Sequence, residues 1–399
     1  MTSDERPWLA SYPEGVPAEI DPSRYRSVAA LLAECCDRFR HRPAFFNMGR
    51  TLTYDDLDGK SAALANYLLN DLKLARGDRV AIMLPNVLQY PVAIMAVLRA
   101  GLTLVNTNPL YTARELKHQL TDSGAAAIIV LENFAHVLAD VIGETSCKHV
   151  IVSALGDMLG FPKSAITNFV VRRIKKLVPP FALPKAVRFN AALARGAREA
   201  APKIEIDADD IAFLQYTGGT TGVAKGAMLT HRNMVANMLQ ALAWIRPNMR
   251  EGEEVVVTAL PLYHIFALTA NMLVFARVGG YNYLITNPRD MPAFVKAIAK
   301  IKFTALTGVN TLFNGLMNTP GFDKVDFSRL HLTLGGGMAV QRAVADRWKK
   351  VTGCTLAEAY GLTETAPAVC INPLDLAEYN GSIGLPIPPT DASIPDQDG

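Results

Sequence analysis

From residue 78 onward the chain alternates short continuous apolar runs with stretches of helical spacing, and this alternation constrains the fold more than any other feature. Asp78–Leu84 (DRVAIML) is apolar at successive positions, as a strand buried on both faces must be. Val87–Arg99 has helical spacing, Leu102–Asn106 is a strand, Ala113–Leu120 a helix, and Ala125–Leu131 and His149–Ser153 are strands. Strands of this kind need cover on both sides, and crossover helices supply it. The pattern therefore predicts α/β architecture with a mostly parallel sheet between helical layers.

The pattern then repeats. Leu84-Pro85 precedes an apolar helix that ends near Arg99-Ala-Gly101 and leads to LTLVNTNP (Leu102–Pro109). Leu260-Pro261 precedes another that ends near Arg277-Val-Gly279 and leads to YNYLITNP (Tyr281–Pro288). Each is followed by a helix and a strand: Ala113–Leu120 to Ala125–Leu131, and Met291–Ile301 to Phe303–Val309. At 399 residues the chain exceeds what one ordinary core organises. The expectation is two similar doubly wound α/β subdomains, about 50–210 and 211–365, packed together with a ligand cleft between them. A smaller, incomplete β-rich part would begin at about 366 and run to 399.

The segment richest in chemistry is Tyr216-Thr-Gly-Gly-Thr-Thr-Gly-Val-Ala-Lys-Gly226. It follows a strand-like run, Ile211–Gln215, and precedes a helix for which Thr230 is the natural N-cap. Gly218, Gly219 and Gly222 free the backbone so that its N–H groups can converge on an anion. Thr217, Thr220 and Thr221 add hydroxyls, and Lys225 adds a full charge. This set suits a nucleoside triphosphate. It is not a Walker A loop, which needs Gly-Lys-Ser/Thr, because Lys225 stands between Ala224 and Gly226.

The loop resembles the signature loop of the adenylate-forming superfamily: acyl-CoA synthetases, luciferases and peptide-synthetase adenylation domains. Leu52-Thr-Tyr-Asp-Asp-Leu57 and Leu98-Arg-Ala-Gly-Leu-Thr-Leu-Val-Asn-Thr-Asn-Pro109 resemble the family's first and second core motifs, and Ala359-Tyr-Gly-Leu-Thr-Glu-Thr365 its fifth. Gly218 and Ala224 stand where the family more often has Ser and Pro. Asn106–Glu115, Leu84–Pro91 and Ile285–Asp290 look like bacterial long-chain fatty-acid–CoA ligases.

The resemblance implies ATP-dependent activation of a long-chain fatty acid to an acyl-adenylate and then to the coenzyme A thioester. It implies Tyr360 and Gly361 against the adenine, and Gly335, Gly336 and Gly337 along an edge beside adenine and the acyl carboxylate. It gives Mg²⁺ to Glu364 and Thr217, the phosphates to Thr217, Thr363 and Lys225, and the substrate carboxylate to His264. Phe266 and Leu268 would line an acyl tunnel. A medium-chain or aryl-acid ligase and a non-catalytic nucleotide- or acyl-binding fragment are the competing readings. Asp398-Gly399 is a hairpin-turn signal with no returning strand. The expectation is a chain that stops before the family's mobile C-terminal domain and turns over weakly alone.

Composition excludes other classes. A net charge of +3 gives no global pull on nucleic acid. Five scattered cysteines without CxxC spacing read as reduced thiols of a cytoplasmic protein. The polar start, Met1–Arg6, has no apolar core of a secretory signal, and the longest apolar stretch, about Leu262–Ala276, is too short to span a membrane. One segment interrupts the alternation. Phe161–Arg188 carries Lys163, Arg172, Arg173, Lys175, Lys176, Lys185 and Arg188 with no acid and with apolar residues interleaved. That pattern suits an anionic membrane surface, so a peripheral position on the inner face of the membrane is expected, with a homodimer left open.

Overall fold

The computed structural model describes residues 6–200, 202–218 and 223–393. Asp398-Gly399 lies outside them. Two sheets carry the fold, and helices cover them. Among the described residues one sheet has seven strands, in the spatial order Val187–Arg188, His149–Ser153, Ala127–Leu131, Arg79–Met83, Thr103–Asn106, Ile211–Thr217 and Lys225–Thr230. The other has nine: Leu385–Pro386, Ala368–Ile371, Leu356–Gly361, Leu332–Gly335, Ala305–Gly308, Val255–Thr258, Tyr281–Leu284, Pro43–Asn47 and Arg50–Thr53. Inner strands such as Ala127–Leu131 and Ala305–Gly308 are buried at every position, as their unbroken apolar runs require.

The two sheets have the same plan. In each, five parallel strands lie beside a sixth parallel strand that turns back antiparallel as the first arm of a hairpin. A helix follows each hairpin. Thr53 caps Tyr54–Asn66 in a reciprocal capping box with Asp56, and Thr230 caps His231–Ile245 in one with Asn233.

The hairpins are exchanged between the halves. Ile211–Thr230 pairs with Thr103–Asn106, so it completes the sheet of the first repeat. Pro43–Thr53 pairs with Tyr281–Leu284 and completes the sheet of the second. Neither sheet is a contiguous half of the sequence, and the expected boundary at 210/211 falls where a hairpin leaves one half for the other. The first hairpin closes on Met48-Gly49, both at positive φ. In the second, the strands Ile211–Thr217 and Lys225–Thr230 pair antiparallel, with Thr217 opposite Lys225.

Asn86 locks the halves together. Its Nδ2 donates to the carbonyls of Thr258 (3.0 Å) and Leu260 (2.9 Å), and its Oδ1 accepts from Leu262 N (2.9 Å). Thr286 Oγ1 donates to the Asn86 carbonyl (2.9 Å). Leu84-Pro-Asn86 of one repeat therefore grips Leu260-Pro-Leu262 of the other through buried bonds, each needed once those groups leave water. The part from 366 onward adds two short strands at the edge of the nine-stranded sheet: Ala368–Ile371 runs antiparallel to Leu356–Gly361, and Leu385–Pro386 antiparallel to Ala368–Ile371. All five cysteines are buried and free. No helix among the described residues is long and apolar enough to cross a membrane.

Candidate active site

The cleft opens at the carboxyl ends of the strands, between the two sheets, where open α/β folds place ligands. A cavity of about 500 Å³ is built there. Its mouth is polar: Thr217, Gly218, His264, Thr363 and Glu364 line it. Its interior is apolar, walled by Ile245, Val274, Phe275, Leu332, Leu334 and Ile371. A second, more polar cavity of about 960 Å³ adjoins it and shares Thr217, Gly218, His264 and Thr363.

Four elements deliver these groups. The strand Ile211–Thr217 ends at the mouth, so Thr217 and Gly218 sit at its carboxyl end. A Cβ on Gly218 would meet nothing within 4 Å among the described residues, so this position has room for a side chain. The helix Ala113–Asp122 braces both shoulders of the loop. Tyr216 OH donates to Asp122 Oδ2 (2.6 Å), and His118 Nε2 lies 2.9 Å from the Ala224 carbonyl. Lys225 is exposed at the far shoulder, opposite Thr217 in the hairpin register, and lines neither cavity. Gly219, Thr220, Thr221 and Gly222 lie outside the described residues.

The second element is the segment after Leu332–Gly335. Gly336 and Gly337 line the cavity. Gly336 is closely packed, since a Cβ there would lie 3.0 Å from the Phe266 ring and 3.2 Å from the Ala359 carbonyl. Gly335 does not reach the cavity. It is buried in the strand, where a Cβ would strike Val340 at 2.6 Å.

The third is the strand Leu356–Gly361 with the turn Thr363–Thr365. Tyr360 is 42% exposed and lines the cavity mouth, and Glu364 is exposed in the turn. The strand slips register between Tyr360 and Gly361 as it meets Ala368–Ile371. A Cβ on Gly361 would fall 2.0 Å from the Pro367 carbonyl oxygen. Only glycine lets the two backbones approach this closely.

The fourth is the loop Leu260–His264 and the short helix it opens, Ile265–Ala267. His264 caps that helix: its Nδ1 accepts from Phe266 N (3.4 Å). The ring is open to the cleft but surrounded by protein on its other sides, and this desolvation lowers its pKa below the ordinary imidazole value. The ring is therefore neutral near pH 7. With Nδ1 occupied as an acceptor, Nε2 carries the proton and is the free donor. Phe266 lines the cavity, but Leu268 is fully buried and does not. The helix widens to π geometry over Leu268–Leu273, beside the cavity wall at Thr269 and Ala270.

The apolar wall could not be separated from ordinary core in the sequence, because a cavity lining and a packed core share one periodicity. Asn86 and Gln215 were also missed as supports of the site. Gln215 is an amide within an apolar strand and Asn86 one in the bend that follows another, and only the fold reveals their partners.

A family model described as AMP-binding enzyme matches residues 32–399. A long-chain-fatty-acid–CoA ligase of Salmonella typhimurium is 57% identical over 98% of this chain and 70% of its own length. Among solved structures, an anthranilate–CoA ligase in complex with anthranoyl-AMP superposes with a TM-score of 0.77 at 20% identity, over 92% of this chain and 66% of that one. A long-chain-fatty-acid–CoA ligase from Archaeoglobus fulgidus superposes at 0.74 with 23% identity, over 94% and 72%. These two likenesses establish the shared fold. This chain spans about 70% of the length of the curated ligases it matches. The family match over nearly the whole chain, with the ligase identity behind it, shows that this chain belongs to the AMP-binding enzymes.

Proposed function

We propose that this chain carries the ATP- and acyl-binding site of a long-chain fatty-acid–CoA ligase. The observation that carries the reading is the continuity of one cavity. Its mouth holds Thr217, Gly218 and Tyr360, and its interior is walled by aliphatic and aromatic side chains. A ligand that fills it has a polar, charged end and an apolar tail, as an acyl-adenylate does.

In the first step the fatty carboxylate attacks the α-phosphorus of ATP. A P–O bond to the carboxylate forms, the bond to the β-phosphate bridging oxygen breaks, and pyrophosphate leaves. In the second, the thiol sulfur of coenzyme A attacks the acyl carbon, loses its proton, and expels AMP. No protein nucleophile is needed, so the site works by positioning and by offsetting charge. Neutral His264 donates from Nε2 to the incoming carboxylate without adding a competing charge. Tyr360 offers its ring as a platform for the adenine. Thr217 and Lys225 flank the loop and receive the phosphates. Coenzyme A enters by the polar cavity that shares His264 and Thr363 with the first.

The donors at the mouth fit Mg²⁺. Glu364, Thr217 and Thr363 offer only oxygen, with one carboxylate, and among the described residues no cluster of three His, Cys, Asp or Glu could hold a metal alone. Mg²⁺ prefers one or two carboxylates completed by phosphate oxygens and water, so Glu364 and Thr217 would hold it together with the nucleotide. When bound it supplies charge neutralisation of the triphosphate.

The nucleotide assignment is tested by calorimetric titration with a non-hydrolysable hexadecanoyl-adenylate analogue. Stacking on an aromatic ring is worth about 1–3 kcal/mol per base, so Tyr360→Ala is expected to weaken binding roughly tenfold to a hundredfold. Equal affinity in the parent and Tyr360→Ala proteins would remove Tyr360 from the adenine site.

The same reading includes delivery of the substrate from an anionic membrane. Phe161, Ile166, Phe169, Ile174 and Leu177 are exposed, among exposed Lys163, Arg173, Lys175 and Lys176. Arg172 and Arg188, also exposed, pair with the buried carboxylate of Glu132, at 2.7 and 3.1 Å, and so tie the segment to the body of the protein. The protein is expected to sediment with vesicles containing phosphatidylglycerol and to stay free of pure phosphatidylcholine vesicles. Each inserted phenylalanine contributes about 1.5–3 kcal/mol, so Phe161→Ser with Phe169→Ser is expected to reduce binding at least about tenfold. Unchanged sedimentation of that variant would exclude this face.

A further inference from the structure

A chain of buried side-chain hydrogen bonds runs under the cleft from one half of the molecule to the other. Tyr90 OH donates to Asn106 Oδ1. Asn106 Nδ2 donates to Gln215 Oε1 (2.8 Å), and Gln215 Nε2 donates to the backbone carbonyl of Tyr263 (2.6 Å). Asn106 and Gln215 are each 4% exposed, and they are register partners on adjacent parallel strands.

The polarity of this chain is forced. A backbone carbonyl can only accept, so the Gln215 amide must turn its NH₂ toward Tyr263. Its oxygen then faces Asn106, whose NH₂ must supply the next donor. Asn106 Oδ1 is left to accept from Tyr90. The amide orientations follow from one fixed acceptor, and no member can flip without losing two bonds.

The two ends of this chain matter. Gln215 lies on the strand Ile211–Thr217, two residues before Thr217. Tyr263 directly precedes His264, on a loop of the opposite half. Asn86 fixes that loop further back, at Leu260 and Leu262. Gln215 fixes it at Tyr263, next to the reacting end.

We infer that Gln215 is a positioning residue for the adenylation step: it sets the separation between the phosphate-binding end of its own strand and the carboxylate-binding His264. This rests on the acyl-adenylate reading above. Attack of a carboxylate on a phosphate needs the two reactants held at near-contact distance, and small misplacements are costly. Gln215 lines the polar cavity beside Thr217 and His264, and in this scheme it acts on the adenylation step through His264.

The test is calorimetric titration of the hexadecanoyl-adenylate analogue, which spans both ends, into the parent, Gln215→Met, His264→Ala and the double variant. A non-hydrolysable ATP analogue, which occupies one end, is titrated in parallel. Gln215→Met is expected to weaken the spanning ligand about tenfold and to leave the ATP analogue within about twofold. In the His264→Ala background the same change is expected to have no further effect. Gln215→Glu keeps the acceptor for Asn106 and can donate to Tyr263 only when its carboxyl is protonated. Its affinity relative to the parent is therefore expected to recover as pH falls, whereas that of Gln215→Met stays low.

Additive losses in the double variant would overturn the proposal, as would equal losses for both ligands or a flat pH profile for Gln215→Glu. Should Gln215→Met fail to fold, the pH profile of Gln215→Glu decides alone. A folded parent that binds no analogue would overturn the acyl-adenylate reading itself, whereas a parent that binds beside an unaffected Gln215→Met would overturn only the role of Gln215.

Discussion

Gly361→Ala is expected to destabilise the protein by about 2–3 kcal/mol and to weaken acyl-adenylate binding at least about tenfold. The cause is steric. The added methyl would sit 2.0 Å from the Pro367 carbonyl oxygen, 2.8 Å from its carbon and 3.2 Å from Ala368 Cα. These are backbone atoms, so no side-chain rotation relieves the clash. The turn Thr363–Thr365 is itself pinned at this point, because Leu362 N donates to the Pro367 carbonyl (3.0 Å) and Thr269 Oγ1 to the Ala366 carbonyl (3.0 Å). Opening the hairpin would break those bonds and displace Tyr360 and Glu364 together. Chemical denaturation measures the first effect and calorimetry the second. A substitution of equal size at Gly59, where a Cβ meets nothing within 4 Å, is the control expected to leave binding unchanged. Retention of full stability and affinity in Gly361→Ala would mean that the close approach is not needed.

Much of this was legible in the sequence because the signals were local. The uninterrupted apolar runs at Arg79–Met83, Ala127–Leu131 and His149–Ser153 became inner parallel strands. Thr230, read as an N-cap from residue type alone, caps the helix after the phosphate loop. The repeated Leu-Pro, Arg-Ala-Gly/Arg-Val-Gly and Thr-Asn-Pro spacing marked two strand–helix–strand units, and the core strands of the two sheets share one order.

What escaped was non-local. Nothing in the composition of Pro43–Thr53 says that it will pair with Tyr281–Leu284 across more than two hundred residues rather than with the repeat that follows it. The hairpin exchange is a decision of tertiary packing. The resemblance put Gly335 with Gly336 and Gly337 along the adenine edge, but a strand points successive positions to opposite faces, and Gly335 falls on the side of Val340. Leu268 was grouped with Phe266 as tunnel lining. They are two residues apart on a helix, so they face different neighbours, and only Phe266 reaches the cavity. Gln215 and Asn86 gave no signal because the bonds that define them reach backbone carbonyls 48 and 172 or more residues away.

The choice of acyl group rests on the apolar wall of Ile245, Val274, Phe275, Leu332 and Ile371, and here the expected effect is the largest of all. Each methylene buried against such a wall contributes about 0.8 kcal/mol, roughly a fourfold gain in affinity. A short acyl group leaves that wall unfilled, whereas a long chain displaces water from it. A medium-chain or aryl-acid ligase would saturate early or favour a planar group. The most direct measurement is therefore calorimetric titration of the parent protein with acyl-adenylate analogues that differ only in the acyl group: acetyl, octanoyl, hexadecanoyl and benzoyl. Affinity that climbs from acetyl through octanoyl to hexadecanoyl, with at least about a hundredfold between the first two, is the predicted result. Equal affinity across the series, or a preference for benzoyl over the alkyl chains, would contradict a site built for long-chain fatty acids.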